Sequence, residues 1–247
     1  MRRAAVLALA RETQARLEEL ARRPSGHPAS GGYGTRLRRL GLRADELRAA
    51  ARDLARACRD LAPRDVVRVA QALVDGGCFE GGLVACLLLD RQRAAAASLG
   101  ARDLVRLAGD PDNWASVDTF ACLVSGPAWR RRQVPDTLIA GWARSRERWW
   151  RRVALVSTVA LNAPSRGGAG EPARTLRVCR ALAADRDDMV VKAMSWALRA
   201  LARHEPARVR GFLARHHAVL AARAVREVTN KLTTGLKTPR RPRARTG

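Results

Sequence analysis

Apolar residues recur at helical spacing along almost the entire chain, and no segment alternates apolar and polar residues as a half-buried strand does. Leu, Ala, Arg and Glu, which favour helices, dominate the composition, whereas Ile139 is the only isoleucine. The pattern therefore predicts an all-α fold. With 247 residues the chain forms one large domain or two small ones, and it buries enough surface to need no crosslinks.

The periodicity predicts about a dozen short helices, joined mostly by short turns. Residues 110–112, with the sequence Asp-Pro-Asp, have the composition of a helix start. Two stretches rich in Gly, Pro and Ser, 24–34 and 162–172, are predicted to be flexible loops. Residues 237–247 are expected to form a disordered basic tail, which leaves 1–236 as a single domain. The helices are expected at residues 2–23, 44–60, 64–75, 79–97, 101–108, 110–124, 134–144, 147–162, 172–184, 187–203, 206–216 and 219–234.

Two architectures fit such a series of short helices, a bundle and a helical-repeat solenoid. A weak internal repeat favours the solenoid, because the apolar run of residues 152–161 resembles that of 192–201 at an offset of 40 residues. This spacing is typical of HEAT-like repeats. Stacked helix pairs leave one concave face, and a basic concave groove can wrap a rod-shaped polyanion.

The chain is strongly basic, with a formal net charge of +24 from 47 basic and 23 acidic residues. Only three of the basic residues are lysines, a bias that is typical of GC-rich bacterial coding. Coding habit does not explain the net charge, because the acidic residues are not raised to match. A domain this basic typically binds a polyanion, and nucleic acid is the first candidate.

The cysteines and histidines show no metal-binding pattern. The five cysteines contain no C-x-x-C pair, and the four histidines supply no cluster with zinc-ligand spacing. We therefore expect reduced, buried thiols, no metal and no cofactor.

The apolar run after Arg3 ends within seven residues, and no later run approaches the length of a membrane span. These features predict a cytoplasmic protein with no membrane partner. We further expect it to be bacterial, nucleoid-associated and monomeric.

Two predicted helices carry a basic face with tryptophan beside it. On the later helix Trp196 lies four residues after one cation and three before another, so it flanks the basic stripe rather than the centre of the apolar face. We expect both faces to line one concave surface and to bind phosphates. The alternative is that they are ordinary solvated faces. The cations are Arg148, Arg151 and Arg152 on the first helix, and Lys192, Arg199 and Arg203 on the second.

Trp114 and Asp118 lie one helical turn apart on the same face, beside a packing face formed by Val117 and Phe120. Capping does not account for Asp118, because it lies two turns past the predicted start at Asp110. Two interpretations remain open. Asp118 is either the ion-pair partner of one of the many arginines, or a lone carboxylate with a Trp wall in a basic groove. The second arrangement suits the stabilisation of a cationic centre beside a phosphate backbone.

Five segments resemble motifs of the AlkD-like DNA alkylation-repair glycosylases. The most specific is VVKAMSWALR at 190–199, similar to the family's V/I-x-K-A-I-G-W-x-L-R-E run. WASVD at 114–118 is similar to W-D-x-V-D, and WWRRVA at 149–154 to W-x-x-R-x-A. Phe-Glu at 79–80 and LGLRADELR at 40–48 resemble two further landmarks. The resemblance covers roughly residues 40 to 234.

The resemblance implies a HEAT-like solenoid that wraps duplex DNA and excises cationic N3- or N7-alkylated purines without flipping the base. Trp114 and Trp196 match the pair that brackets the sugar of the lesion nucleotide. Asp118 matches the catalytic carboxylate, and Arg152 matches a phosphate-binding arginine nearby. A HEAT-type DNA-binding scaffold without activity, or a protein-binding adaptor, remains an alternative.

The chain departs from the family pattern at three positions. Ala115 stands in place of Asp, Ser195 in place of Gly, and Ala44 in place of Pro. None of these changes removes the matched site residues. The lesion is left open between simple methyl groups and bulky adducts, for which a self-resistance role is one option.

Overall fold

The computed structural model of the chain describes residues 2–22 and 34–239. Most of the predicted loop at 24–34, and the predicted tail beyond Pro239, lie outside the described residues. In chain order the helices are α1 (Arg2–Ala21), α2 (Ala44–Ala57), α3 (Pro63–Asp75), α4 (Phe79–Arg91), α5 (Arg93–Ala97), α6 (Ala101–Ala108), α7 (Trp114–Phe120), α8 (Gly126–Arg130), α9 (Asp136–Ala143), α10 (Arg148–Ser157), α11 (Val159–Asn162), α12 (Pro172–Ala181), α13 (Asp188–Leu201), α14 (Pro206–His216) and α15 (Ala222–Thr234).

The predicted fold class, an all-α helical-repeat fold, is confirmed. Among the described residues the only β pairing is an isolated bridge between Arg38 and Cys78. Most helices begin and end within a few residues of the predicted bounds. The predicted helix 79–97 is interrupted at Gln92, whose side-chain amide donates 2.8 Å to the carbonyl of Ala55.

The described residues form two compact units, one up to Leu138 and one from Ile139 onward. The assignment of residues 1–236 to a single domain stays a prediction, as does a basic groove that runs along the chain.

The first unit is built around α3 and α4. Helix α3 packs against both α1 and α4, and α2 also packs against α4. Val67 and Ala70 of α3, with Val84 and Leu88 of α4, are completely buried. Pro63 occupies the first turn of α3, where its missing N–H leaves no hydrogen bond unmade.

Two of the family-like segments meet in this unit. The buried carboxylate of Glu80 accepts the backbone N–H groups of Leu40 at 2.9 Å and Gly41 at 2.8 Å. The backbone N–H of Phe79 donates 3.0 Å to the carbonyl of Arg38. A buried carboxylate is stable only with such donors. The Phe79–Glu80 landmark therefore fastens the segment that leads into α2.

The second unit is built around α13, which packs against α10, α11, α12 and α15. Its apolar positions, including Ala193, Leu198 and Leu201, are completely buried. Asp187 caps α13, and its Oδ1 accepts the backbone N–H of Met189 at 2.9 Å. An Asp at this position satisfies amides that have no partner within the helix.

The segment 162–172, predicted to be a flexible loop, is held in place by hydrogen bonds. The side-chain amide of Asn162 donates 2.9 Å to the hydroxyl of Thr175, and its Oδ1 accepts the N–H of Glu171 at 2.9 Å. Gly168 is buried so closely that a β-carbon would lie 2.5 Å from the backbone nitrogen of Asn162. The glycines that suggested flexibility therefore allow a close approach of backbone segments.

Candidate functional site

Helix α7 begins at Trp114 rather than at the predicted Asp-Pro-Asp start. Asn113 is the cap, and its Oδ1 accepts the backbone N–H of Ser116 at 3.0 Å. The prediction failed because both aspartates of the 110–112 segment bind elsewhere. Asp110 pairs with Arg36 at 2.5 Å, while Asp112 accepts hydrogen bonds from the segment that precedes α2.

Asp112 joins the segment that precedes α2 to the start of α7 through hydrogen bonds. Its carboxylate accepts the hydroxyl of Thr35 at 2.9 Å, the backbone N–H of Arg36, and the side-chain amide of Asn113 at 2.8 Å. Burial by itself would raise the pKa of Asp112, but these hydrogen bonds outweigh it and hold the pKa below its ordinary value. The cap of α7 is thereby tied to an ionised carboxylate.

Trp114 and Asp118 lie one turn apart in α7, as predicted. The Trp114 side chain is 42% exposed, which is unusual for so large an apolar group, whereas Val117 and Phe120 are buried as expected. Asp118 is partly exposed and is the fifth residue of α7. Since the benefit of the helix dipole fades within the first turn, the charge of Asp118 is not explained by the helix start. The described first unit thus presents an indole and a carboxylate together.

A π-helical turn, Ala121–Ser125, follows α7 directly and continues into α8. Helical periodicity does not predict this turn, although Pro127 gives a signal for it. Proline cannot donate a helical hydrogen bond, and its ring clashes with the carbonyl four residues earlier, here that of Leu123, so the wider turn relieves the clash. Such turns occur frequently at functional sites. This one lies three residues after Asp118.

The three arginines predicted to form the basic face of α10 all reach toward the start of α13. The Arg148 side chain is 52% exposed, and its Cζ lies 4.9 Å from the ring centre of Trp149. Its Nη1 lies 3.5 Å from Oδ2 of Asp187. Arg151 donates 2.7 Å to Asp185 and also to the carbonyl of Arg146 at 2.7 Å.

Arg152 is only 6% exposed, and its Nη1 donates to the carbonyl of Met189 in the first turn of α13. Of the three arginines only Arg148 is well exposed to solvent. Arg151 and Arg152 instead join α10 to Asp185, just before α13, and to the first turn of α13.

The predicted basic stripe of α13, whose last member Arg203 lies two residues past the end of the helix, remains nearer the surface. Lys192 pairs with Asp188 at 2.6 Å, and Trp196 is partly exposed between the cations that flank it. The Nε of Arg199 donates 3.1 Å to the hydroxyl of Ser195. Arg203 is exposed and has no ion-pair partner among the described residues.

Trp114 and Asp118 belong to the first unit, whereas Arg152 and Trp196 belong to the second. Their combination in one site stays a prediction. Within residues 2–22 and 34–239, no three His, Cys, Asp or Glu side chains come together to hold a metal ion. No helix in the same ranges has the length and hydropathy needed to cross a bilayer.

Comparisons with known proteins agree with the resemblance found in the sequence. A family model described as DNA alkylation repair enzyme matches residues 2–232, so the chain belongs to that family. The predicted relationship is confirmed at this level, and it places the protein in DNA repair. A comparison with curated proteins finds no significant match.

One solved structure with a similar fold is described as a predicted DNA alkylation repair enzyme from Enterococcus faecalis. It aligns with a TM-score of 0.62 over 90% of this chain and 96% of that chain. At 18% sequence identity the alignment supports the fold and not a particular activity.

Proposed function

We propose that the protein is a DNA glycosylase that hydrolyses the N-glycosidic bond of cationic N3- or N7-alkylated purines in duplex DNA. One observation carries this proposal. The exposed indole of Trp114 lies one helical turn from the carboxylate of Asp118, in a chain of net charge +24 that belongs to the DNA alkylation repair enzyme family.

A single carboxylate is sufficient for this reaction. Glycoside hydrolysis generally uses one carboxylic acid to protonate the leaving group and a second carboxylate to stabilise the sugar or activate water. A purine alkylated at N3 or N7 already carries a positive charge, so it departs as a neutral base without protonation. The enzyme then has to stabilise the oxocarbenium-like sugar and position a water molecule, and Asp118 supplies the negative charge for both tasks.

The tryptophans supply electron-rich surfaces to the same sugar. An indole face attracts a cation through its ring quadrupole, and this attraction is stronger where water is excluded. Trp114 is exposed enough to provide such a face, and Trp196 is proposed to provide a second one. No step of this scheme uses a metal, a nucleotide cofactor or a lysine nucleophile.

The cations of the second unit have two different roles in this proposal. Arg148, Lys192, Arg199 and Arg203 reach the surface and contact phosphates of the duplex. Arg151 and Arg152, which helical spacing also places on the DNA-binding face, instead join α10 to the segment that begins α13.

The base is proposed to stay within the duplex during excision. An enzyme that does not draw the base into a pocket places no strict limit on the size of the alkyl group. Bulky N3-adenine adducts therefore belong to the proposed substrates beside simple methylated purines. Binding as a monomer, in the cytoplasm and at the nucleoid, is part of the same proposal.

Base release from modified DNA tests the activity. Duplexes that contain 7-methylguanine, 3-methyladenine or a bulky N3-adenine adduct are incubated with excess protein, and the free base is quantified against spontaneous depurination. We expect release above the spontaneous rate for at least one lesion and none from the unmodified duplex.

Two other results would replace the proposal. Tight duplex binding without base release indicates a non-catalytic DNA-binding scaffold. An absence of salt-sensitive duplex binding indicates a protein-binding adaptor, since a complex formed with phosphates weakens steeply as salt rises.

A further inference from the structure

Ser195 forms a buried hydrogen-bonded link between α13 and α15. Its hydroxyl donates 2.6 Å to Oε2 of Glu227 and accepts the Nε–H of Arg199 at 3.1 Å. A serine hydroxyl has one donor and two acceptor positions, so both bonds can form at once. Ser195 itself is completely buried and lies next to Trp196 in the chain.

Glu227 is the anion at the centre of this link. Its side chain is mostly buried, and besides Ser195 it binds Arg223 at 3.1 Å and Lys237 at 3.6 Å. Burial by itself would raise the pKa of Glu227, but the hydrogen bonds from Ser195 and Arg223 outweigh it and keep the pKa below its ordinary value. The carboxylate is therefore ionised at neutral pH and acts only as an acceptor.

Arg199 is held through one nitrogen only. Its Nε is bound to Ser195, whereas Nη1 and Nη2 have no protein partner among the described residues. A guanidinium is planar, so fixing Nε also fixes the plane in which the two terminal nitrogens lie. Those nitrogens form the fork that binds two phosphate oxygens at once.

The same arrangement extends along α13 to Lys192. Arg223 contacts Glu227 and also donates 2.8 Å to Asp188, which pairs with Lys192 at 2.6 Å. Lys192 and Arg199 are seven residues apart on one helix face, with Trp196 between them. Arg223 of α15 therefore bridges Asp188, which pairs with Lys192, and Glu227, which binds the hydroxyl that holds Arg199.

We propose that Glu227 and Ser195 are positioning residues that hold the guanidinium of Arg199 in the orientation needed to bind a DNA phosphate beside Trp196. The proposal rests on the DNA binding proposed above. An anchored guanidinium loses little side-chain freedom when it binds, whereas a freely rotating one must be ordered at that moment. The anchoring carboxylate thus increases DNA affinity although it carries a negative charge.

Anchoring by Glu227 and a simple effect of net charge predict opposite changes in DNA affinity, so one substitution distinguishes them. Replacing Glu227 by Gln makes the protein more positive, so electrostatics alone predicts tighter binding of a polyanion. Loss of the anchor predicts weaker binding. Glu205→Gln is the matched control, because Glu205 lies in the same unit and pairs with the exposed Arg208 at 3.6 Å, outside this link.

The affinity of the full-length protein for a short unmodified duplex is measured at one fixed salt concentration. We expect Glu227→Gln to weaken binding by about threefold to tenfold, the effect of one charge-assisted hydrogen bond held less well. Glu205→Gln should bind as well as the wild type or slightly better. In an Arg199→Ala background, Glu227→Gln should cause no further weakening, because the group that it positions is gone.

Two outcomes overturn the proposal. One is binding by Glu227→Gln that equals or exceeds wild-type binding. The other is a loss of the same size in the presence and absence of Arg199, which means that Glu227 serves only the fold. If Glu227→Gln does not fold, as judged by its melting temperature, Ser195→Ala is used in the same comparison.

The test also separates this proposal from the function on which it rests. Failure of the wild type to bind the duplex in a salt-dependent manner contradicts the proposed function itself. If the wild type binds normally, undiminished binding by Glu227→Gln, or a loss that does not depend on Arg199, contradicts only the positioning role of Glu227 and Ser195.

Discussion

Arg151 and Asp185 form an ion pair, with 2.7 Å between Nε and Oδ2, and both side chains are largely shielded from solvent. Helical spacing alone places Arg151 on the same basic face as Arg148, which is half exposed. The structure separates the two arginines, because Arg151 is used within the protein and Arg148 faces the solvent.

Arg151→Gln should therefore reduce stability and leave DNA binding largely unchanged. It leaves Asp185 without its arginine at a poorly hydrated position, which costs about 2 kcal/mol of unfolding free energy. The measurement is chemical unfolding at pH 7, with duplex affinity determined over a series of salt concentrations. A large loss of affinity with unchanged stability would assign Arg151 to the DNA.

Arg203→Gln should show the opposite behaviour. Arg203 is exposed, and no ion-pair partner is found for it among the described residues. Its loss should leave the unfolding free energy within about 0.5 kcal/mol of the wild type. The slope of log affinity against log salt should fall by about 0.9, as for one lost phosphate contact. An unchanged slope removes Arg203 from the DNA-binding surface.

Acid should destabilise the first unit through Asp103. Burial by itself would raise the pKa of Asp103, but Arg64, with contacts of 2.7 and 2.9 Å, and the N–H of Gly100 hold the pKa below its ordinary value of 3.8. The unfolded chain therefore binds a proton at Asp103 more readily than the folded one. The stabilisation is present above the ordinary pKa and is lost as the pH falls through the lowered value.

Asp103→Asn removes this contribution. The variant should be less stable than the wild type at pH 7, and the difference should shrink as the pH falls below about 4. Urea unfolding at pH 7, 5 and 3 measures both effects. A difference in stability that stays constant over this range contradicts the assignment.

Helical periodicity was sufficient to locate most of the helices, because the buried positions of α3, α13 and α15 repeat with the period of the helix. It did not reveal what packs against a given face. The burial of Arg152 depends on the carbonyl of Met189, which is distant in sequence and carries no sequence signal.

The start of α7 was misplaced for a similar reason. Asp110 and Pro111 have the local signature of a helix start, but Asp110 binds Arg36, which precedes it by 74 residues. Asn113 caps α7 instead, and asparagine is as well suited to this position as aspartate. Conversely, the pair Trp114 and Asp118 could be predicted, since its spacing is local.

The basic end of the chain should contribute affinity without contributing to cleavage. Lys237 contacts Glu227 at 3.6 Å, so a truncation that preserves this contact must begin after Pro239. Deletion of residues 240–247 removes four arginines, and the salt slope should fall by up to about 3.6. Single-turnover excision at saturating protein should be unchanged. A truncated protein that binds DNA well but does not excise the base would show that these residues are needed for cleavage, which contradicts the prediction.

Trp114→Ala should lower the excision rate without a large effect on the fold, because the indole is exposed. Trp129→Ala is the contrasting variant, since Trp129 is fully buried and donates 2.8 Å to Asp136. Removing that core side chain should cost about 3–5 kcal/mol. Melting temperatures and excision rates of the two variants provide the comparison. An excision rate for Trp114→Ala equal to that of the wild type rules out the sugar contact.

Single-turnover excision by Asp118→Asn tests the proposed catalytic role of this carboxylate. It is measured on one cationic lesion at fixed salt, after subtraction of spontaneous depurination. The substitution keeps the size of the side chain and removes its charge, so packing beside Val117 and Phe120 should be preserved. We expect duplex affinity and melting temperature close to the wild type, with a rate lower by about 10²–10³-fold. A normally folded Asp118→Asn that excises within about threefold of the wild-type rate has lost far less than such a group supplies. That result contradicts catalysis by the Asp118 carboxylate and makes Asp118 a structural residue.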